Sequence, residues 1–231
     1  MERDDPAYPG QADYTRPLLA LYDPIILGPV ARYVWRCPAI RLVEGYRFHI
    51  RAPHLDVGPG TGYFIARSGL AVGDRVTIVD PNRNVLRWAS HRLARLDVTA
   101  VEADVLKPLP IDGRFRTAAL NLVIHCLPGP HVRKARAVEN VAAILEPDGV
   151  LFGSTVLGLT GPHTPLSRSV LRAFNRHGAF DNLDDSAESL RSILEASFDE
   201  VRIQTIGSVA TFVATGPRPS RAPSAVARAT S

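Results

Sequence analysis

A glycine-rich run and three acidic residues have the types and spacing of a ligand site. The run is Gly58-Pro-Gly-Thr-Gly62, and it directly follows the apolar segment His54–Val57. Glycines let a backbone approach a ligand closely, and the start of the following helix presents free N–H groups. No Gly-Lys-Ser/Thr follows, which excludes a P-loop, and Tyr63 stands where a dinucleotide site would carry Gly or Ala. The run therefore predicts a nucleoside site of another kind.

The three acids each lie in, or at the end of, a segment that is typical of a β-strand. Asp56 lies inside the first segment, Asp80 ends the second and Asp104 ends the third. A carboxylate at Asp56 would repel pyrophosphate but suits a ligand with an ammonium group. Asp80 can accept hydrogen bonds from both hydroxyls of a ribose, and Asp104 can accept one from an exocyclic amine such as that of adenine. S-adenosylmethionine is a cationic nucleoside without phosphates, and we predict it as the cofactor.

The segments that position these residues alternate between short apolar runs and amphipathic stretches. After Pro53, five β-α units are followed by two strands, Glu200–Gly207 and Val209–Thr215, which almost touch and must form a hairpin. This order predicts an α/β fold with a mostly parallel sheet. Ligands of such sheets bind outside the carboxyl ends of the strands. The candidate residues are therefore expected to meet at one edge of the sheet.

We predict one domain with two additions that cover its site. Residues 18–216 form the domain, in which residues 18–51 are a helical cap and residues 158–182 are a lid-like insert rich in turn residues. Residues 1–17 are polar and punctuated by proline, which predicts a flexible arm. Residues 217–231 hold Pro, Ala, Arg and Ser without an apolar pattern, which predicts a disordered tail.

Composition and charge exclude several classes of protein. The chain is 45% hydrophobic and 22% charged, which is typical of a globular protein. No apolar run approaches the roughly 18 residues of a membrane-spanning helix, the acidic N-terminus is unlike a secretory signal, and two cysteines make no disulfide framework. We therefore expect a cytoplasmic protein without membrane contact.

Three of the four net positive charges lie in residues 217–231, so we expect no nucleic-acid partner. The histidines have no ligand spacing, and we assign no metal.

The order of these motifs resembles the class I S-adenosylmethionine-dependent methyltransferases over about residues 50–215, with a likeness to small-molecule members of types 11 and 12. The matching segments are the glycine-rich first motif, the acidic second and third, the fourth, and an L-x-P-x-G turn: His54–Phe64, Val76–Asp80, Glu102–Asp104, Ala119–Pro128 and Leu145–Gly149. The resemblance implies a Rossmann-like sheet of seven strands in the order 3-2-1-4-5-7-6. It also implies helices on both faces and an antiparallel last hairpin. The segment from Tyr22-Asp23 to Trp35-Arg36 is similar to the N-terminal part of quinone-biosynthesis C-methyltransferases.

The resemblance also implies which residues bind the cofactor. They are Asp56, Gly58, Gly60, Thr61, Gly62, Asp80, Pro81, Asn82, Asp104, Val105, Asn121 and Tyr22. Asn121 is expected either to contact the methionine part through its backbone or to be a satisfied buried amide. Asp80 has a second, compatible role, because it can cap the helix that starts at Asn82.

Aromatic residues outside the glycine-rich region are candidates for a methyl-acceptor pocket, with packing in the core as the alternative: Tyr33, Trp35, Phe174 and Phe180. His125 follows the apolar run of the fourth motif, where small-molecule members often carry a histidine. Because the ordinary pKa of histidine is near neutrality, His125 is a candidate general base. The alternative is a structural histidine that bonds a backbone group beside the cofactor.

We predict transfer of a methyl group, by in-line displacement, to O, N or C of a small and mostly apolar or aromatic metabolite. A base is required only where the acceptor is protonated at the working pH. One alternative is an RNA or protein methyltransferase that binds through the basic Arg32–Arg51 face. Another is a protein that binds S-adenosylmethionine without methylating. The fourth motif contains Asn-Leu-Val-Ile and not Asn/Asp-Pro-Pro-Tyr/Phe, which speaks against methylation of adenine in nucleic acids. A monomer and a homodimer are both compatible with the sequence.

Overall fold

Seven strands form one mixed sheet in the computed structural model, which describes residues 22–218 apart from the side chain of Tyr22. In chain order the strands are β1 (His54–Val57), β2 (Arg75–Val79), β3 (Asp97–Val101), β4 (Phe115–Asn121), β5 (Leu145–Val156), β6 (Phe198–Ile206) and β7 (Val209–Pro217). Their spatial order is β3-β2-β1-β4-β5-β7-β6, with β1 to β5 parallel and β7 antiparallel to both neighbours. The predicted fold class, strand order and final hairpin are confirmed.

Within residues 22–218, seven helices of four or more residues cover the sheet and its carboxyl edge, and a short 3-10 helix spans Ile124–Cys126. The seven are α1 (Tyr22–Val34), α2 (Ala39–His49), α3 (Tyr63–Ala66), α4 (Arg83–Arg92), α5 (His131–Ala142), α6 (Pro165–Arg176) and α7 (Ala187–Glu195). Helix α1 is kinked at Gly28. The cause is Pro29, because a proline lacks the N–H of the helix ladder and restricts the residue before it. None of the described helices is long and apolar enough to cross a membrane.

The central strands β1 and β4 are buried on both faces, which explains their continuous apolar runs. Leu120 of β4 has no exposed surface. One core cluster includes Val138 of α5 and Leu194 of α7, and the other includes Val43 of α2 and Leu86 of α4. Parallel strands with helices on both faces are usually buried in this way. The loops at the carboxyl ends of these central strands are therefore the places where a ligand could meet them.

Two strand boundaries differ from the prediction. β3 ends at Val101, so Asp104 lies in the loop beyond the strand and not at its end. Residues 146–149, predicted as a turn before β5, form a bulge inside it. The pairing shows this, because Phe115 is opposite Leu145 while Thr117 is opposite Val150.

The end of the sheet also corrects the predicted start of the tail. β7 continues to Pro217, and the N–H of Arg218 donates to the carbonyl of Ser197 over 2.8 Å. Residue 217 therefore belongs to the sheet, and residue 218 is still hydrogen-bonded beside it. The predicted arm 1–17 and the rest of the predicted tail lie outside the described residues.

The turn of the last hairpin supports both the cap and the insert. The N–H of Ser208 donates to the carbonyl of Trp35 over 2.8 Å, and the carbonyl of Ser208 accepts from the N–H of Leu157 over 2.9 Å. Gly207 has φ +56, and a Cβ there would collide with the carbonyl of Trp35. Glycine lets the hairpin approach this closely, which fixes the C-terminal end of α1 against the sheet.

Candidate active site

A cavity of about 130 Å³ opens at the carboxyl ends of β1, β2 and β4, and we name it the strand-end cavity. It brings together most of the residues predicted to bind the cofactor: Gly58, Gly60, Thr61, Asp80, Pro81, Asn82, Asp104, Val105 and Asn121. Gly58, Gly60 and Gly62 all have positive φ values, between +54 and +74. A Cβ on Gly58 would lie 2.7 Å from Cγ2 of Val123, whereas one on Gly60 would meet no atom within 4 Å. Gly62 does not line the cavity but packs against α4.

Two of the acids hold their own loops with one oxygen each. Oδ1 of Asp80 accepts from the N–H of Asn82 over 2.7 Å, and Oδ1 of Asp104 accepts from the N–H of Leu106 over 2.9 Å. The other oxygen of each carboxylate has no hydrogen-bond partner within residues 22–218. Enclosure by the protein raises the pKa of Asp80 to about 7, although the bond from Asn82 opposes this shift. Both acids thus retain an acceptor for a ligand.

Asp56 lies behind the cavity wall instead of lining it. Its Oδ2 accepts from the hydroxyl of Tyr46 over 2.7 Å and lies 3.4 Å from Nε2 of His54. The ring of Tyr46 lines the cavity and stacks on Phe64, with ring centroids 5.5 Å apart. Burial and the neighbouring carboxylate raise the pKa of Tyr46 well above its usual range. The structure thus brings Tyr46, which the sequence analysis missed, to the position expected for Asp56.

Asn121 contributes a buried hydrogen-bond donor to the same cavity. Its Oδ1 accepts from the hydroxyl of Ser154 over 2.6 Å. Its Nδ2 is the one buried side-chain nitrogen or oxygen among the described residues that lacks a hydrogen-bond partner. A buried donor without a partner is costly. The expectation of a fully satisfied amide is therefore wrong, and the side chain is ready for an acceptor atom of a ligand.

A second cavity, of about 320 Å³, lies between α1, the insert and the end of β5, and we name it the aromatic cavity. It is lined by three of the aromatic residues predicted for the acceptor pocket, Trp35, Phe174 and Phe180, together with His125. The ring centroid of Phe180 lies 4.3 Å from that of His125 and 4.9 Å from that of Phe174. This wall suits a flat, apolar molecule, because aromatic rings prefer tilted or offset contacts at such distances.

One aromatic residue of the prediction, Tyr33, is not part of either cavity wall. The side chain of Tyr33 is 67% exposed and lies under the guanidinium of Arg32, 5.6 Å from the ring centroid. Its predicted place in the acceptor pocket is wrong, because the helix turns this position outward. Tyr22, predicted to reach the cofactor, has a side chain outside the described part of the chain.

The two cavities share a wall made of Leu27, Leu122 and Cys126. Leu122 has φ +58, which is unusual for a residue with a branched side chain, and its N–H donates to the carbonyl of Ser154 over 2.8 Å. Such strain tends to occur at functional sites. Burial raises the pKa of the Cys126 thiol to about 12, so this thiol stays protonated and unreactive. Molecules bound in the two cavities would therefore be separated only by this thin, mostly apolar wall.

His125 lines the aromatic cavity with its proton on a defined nitrogen. Its Nδ1 accepts from the N–H of Val156 over 3.2 Å and lies 3.3 Å from the hydroxyl of Thr155. Burial, helped by the charge of Lys134, lowers the pKa of His125 to about 3, so the ring is neutral. Because Nδ1 accepts, the single proton lies on Nε2. This arrangement favours a hydrogen-bond donor over the general base considered from the sequence.

Comparison with known proteins identifies the family. Residues 55–149 match the sequence profile of a family described as a methyltransferase domain. A demethylluteothin O-methyltransferase from Streptomyces thioluteus is 34% identical over 208 residues, covering 89% of this chain and 90% of that protein. A physcion biosynthesis cluster O-methyltransferase from Aspergillus chevalieri is also 34% identical, covering 94% of this chain and all of that protein.

The solved structures agree on the fold. The N-methyltransferase NodS from Bradyrhizobium japonicum, in complex with S-adenosyl-L-homocysteine, superimposes with a TM-score of 0.54 at 16% identity, covering 71% of this chain and 78% of that one. The fold defines a Rossmann-like α/β protein with a cavity at its strand ends. The chain belongs to the class I S-adenosylmethionine-dependent methyltransferases, and its cofactor is S-adenosylmethionine.

Proposed function

We propose that the strand-end cavity holds S-adenosylmethionine and that the aromatic cavity holds a small, mostly apolar or aromatic methyl acceptor. The observation that carries this proposal is the shared wall of Leu27, Leu122 and Cys126, because it puts two cavities of different chemistry next to each other. The chemistry of the first cavity fits the cofactor, which supplies an electrophilic methyl group on a sulfonium when bound. Asp80 offers an acceptor for the ribose, Asp104 offers one for the adenine amine, and Asn121 offers its unpaired N–H.

The main role of the residues around the methyl acceptor is to align it and to exclude water. They take little part in bond making or proton transfer. Trp35, Phe174 and Phe180 enclose a flat ring, and enclosure favours the near-attack arrangement that displacement needs. His125 keeps its proton at Nε2 and donates a hydrogen bond from there. Such a bond stabilises the ionised form of an acidic hydroxyl, which loses its proton to solvent and not to His125. The names of the two relatives above support an oxygen acceptor.

The described contacts of the basic Arg32–Arg51 face do not favour the RNA or protein alternative. Arg41 pairs with Glu44 at 3.1 Å, Arg47 donates to the carbonyl of Arg67 at 3.0 Å, and Arg51 donates to nearby backbone carbonyls. These arginines are engaged by their own neighbours. We further propose that the enzyme acts in the cytoplasm, on a free small molecule, as a monomer or a homodimer.

The proposal is tested with S-adenosylmethionine carrying a labelled methyl group and a panel of monocyclic and fused-ring phenols and anilines, with tRNA and total cell protein in parallel. We expect label in at least one small aromatic compound, with formation of S-adenosylhomocysteine. Phe180→Ala should lose this transfer, while the matched variant Tyr33→Ala, at an exposed ring, should keep it. Label in tRNA or protein alone would contradict the proposal. Binding of the cofactor with no transfer to any compound would favour the non-methylating alternative.

A further inference from the structure

Three side chains from distant parts of the sequence form one hydrogen-bonded network at the glycine-rich loop. It consists of an ion pair and one hydroxyl group. Oδ2 of Asp23 accepts from the guanidinium of Arg92 over 2.6 Å, and its Oδ1 accepts from the hydroxyl of Thr61 over 2.5 Å. Arg92 also donates to Oγ1 of Thr61 over 2.9 Å. The hydroxyl of Thr61, predicted to bind the cofactor, is therefore used as both donor and acceptor inside this network.

The burial of the network separates it from ordinary surface ion pairs. The side chains of Arg92 and Asp23 are only 29% and 17% exposed. Exposed pairs contribute little, because water screens the charges and two long side chains lose freedom. Here the charges are partly shielded, and a third group fixes their geometry, so the interaction is expected to be stronger and to remain sensitive to salt.

The network connects helix α1 of the cap to the glycine-rich loop and to helix α4. Leu27 of α1 and the loop both line the strand-end cavity. Asp23 lies at the start of α1, one turn before Leu27, which lines both cavities. Thr61 lies between two glycines of the loop that borders the strand-end cavity. Arg92 ends α4, the helix that begins directly after Asn82. The ion pair therefore fastens one end of α1 to the loop, while the hairpin turn holds its other end at Trp35.

We propose that Arg92 is a positioning residue that clamps α1 onto the glycine-rich loop and slows release of the cofactor. The inference rests on the placement of the cofactor in the strand-end cavity proposed above. Arg92 acts through Asp23 and Thr61 and does not itself line that cavity. A basic residue in the last turn of a helix is common for reasons of helix electrostatics alone, so the sequence gives no sign of this role.

The test measures the rate at which S-adenosylhomocysteine leaves the immobilised full-length protein by surface plasmon resonance. Arg92→Met and Asp23→Asn should each raise the release rate about tenfold, and the double variant should be no faster than either one, because they break the same interaction. Arg92→Lys should lie between wild type and Arg92→Met. Arg87→Met, at an exposed position of the same helix, is the matched control and should behave like wild type.

Salt separates a clamp from a general loss of structure. Between about 0.05 and 0.5 M NaCl, release from wild type should accelerate and release from Arg92→Met should not change. If Arg92→Met does not fold, Asp23→Asn provides the same comparison, because Asp23 does not line the strand-end cavity. Release from a folded Arg92→Met protein within about twofold of wild type would overturn the clamp alone. Failure of wild type to bind S-adenosylhomocysteine would overturn the cofactor placement and the clamp together.

Discussion

The backbone N–H of Val156 donates to Nδ1 of His125 over 3.2 Å, and this contact determines which form of the imidazole faces the aromatic cavity. An amide N–H can only donate, so Nδ1 must present its lone pair and the proton of the neutral ring lies on Nε2. Burial lowers the pKa of His125 to about 3, which keeps the ring neutral at any ordinary assay pH. We therefore expect His125 to donate a hydrogen bond from Nε2 to the methyl-acceptor molecule.

A pair of variants distinguishes a donor from a base at this position. Gln keeps a side-chain N–H and Leu does not, so His125→Gln should retain more kcat/KM than His125→Leu, by about 10- to 100-fold, the range for a hydrogen bond to a charged group. Both should bind S-adenosylhomocysteine like wild type. Steady-state kinetics with the acceptor found in the panel, over pH 6 to 9, make the measurement. Equal losses in both variants, with a wild-type inflection near the ordinary pKa of histidine, would contradict the donor role.

Asp80 is expected to lower the stability of the cofactor-free protein at alkaline pH. Its folded-state pKa is raised from 3.8 to about 7. An acid with a raised pKa contributes its stability below the unfolded value, and this contribution is lost as pH rises through the folded one. Asp80→Asn cannot ionise, so it should raise the unfolding temperature at about pH 8 and change it much less at about pH 4. Thermal unfolding checks this.

The same variant should weaken the cofactor site that it stabilises. An amide at position 80 offers one acceptor oxygen where the carboxylate offers two, so calorimetric titration of Asp80→Asn should show weaker binding of S-adenosylhomocysteine than wild type. A variant that gains stability at alkaline pH and keeps full affinity would show that Asp80 does not bind the ribose.

A buried ion pair connects α5 to the segment 181–185, which spans the end of the insert. Nζ of Lys134 donates to Oδ2 of Asp185 and to the carbonyl of Asp181, both over 2.5 Å. Lys134→Met leaves the carboxylate without its partner and should cost about 3 kcal/mol in the free energy of unfolding. Urea unfolding measures this cost. Adding Asp185→Asn should recover part of it, because the uncompensated charge is gone. A double variant as unstable as the sum of the two singles would contradict this account of the pair.

Gly58 is expected to be required for cofactor binding for two reasons. Its φ is positive, and its close contact with Val123 leaves no room for a side chain. It has φ +65, and a Cβ would lie 2.7 Å from Cγ2 of Val123. Gly58→Ala should therefore shift the loop against Val123 and weaken binding of S-adenosylhomocysteine. Gly69 has φ +94 and open space where a Cβ would lie, so Gly69→Ala is a control with backbone strain alone. It should cost about 1 kcal/mol of stability and leave binding unchanged. Equal binding by both variants would contradict the role of the contact.

The sheet and the loop residues could be predicted because their signals are local. Short apolar segments, turn residues and the glycine-rich run lie within a few residues of one another, and parallel strands bring their ends to one edge. Asp80 and Asp104 were found in this way. The sequence does not place Asp56 correctly, because its partner Tyr46 belongs to a separate element, the helix α2, and only packing decides which of the two lines the cavity.

The remaining features depend on contacts between distant residues. Tyr33 points outward because the kink at Gly28 and the hairpin turn under Trp35 set the orientation of α1. The proton position on His125 is determined by a strand amide 31 residues away. Asp23 and Arg92 are 69 residues apart. Contacts between residues this far apart in the sequence cannot be predicted from the residue pattern of a single helix or strand.

The most direct measurement is a crystal structure of the full-length protein with S-adenosylhomocysteine. We predict density in the strand-end cavity, with the ribose hydroxyls at hydrogen-bond distance from Asp80 and the sulfur toward the wall of Leu27, Leu122 and Cys126. Density that lies outside this cavity, or that points the sulfur away from the aromatic cavity, would contradict the proposed arrangement of donor and acceptor.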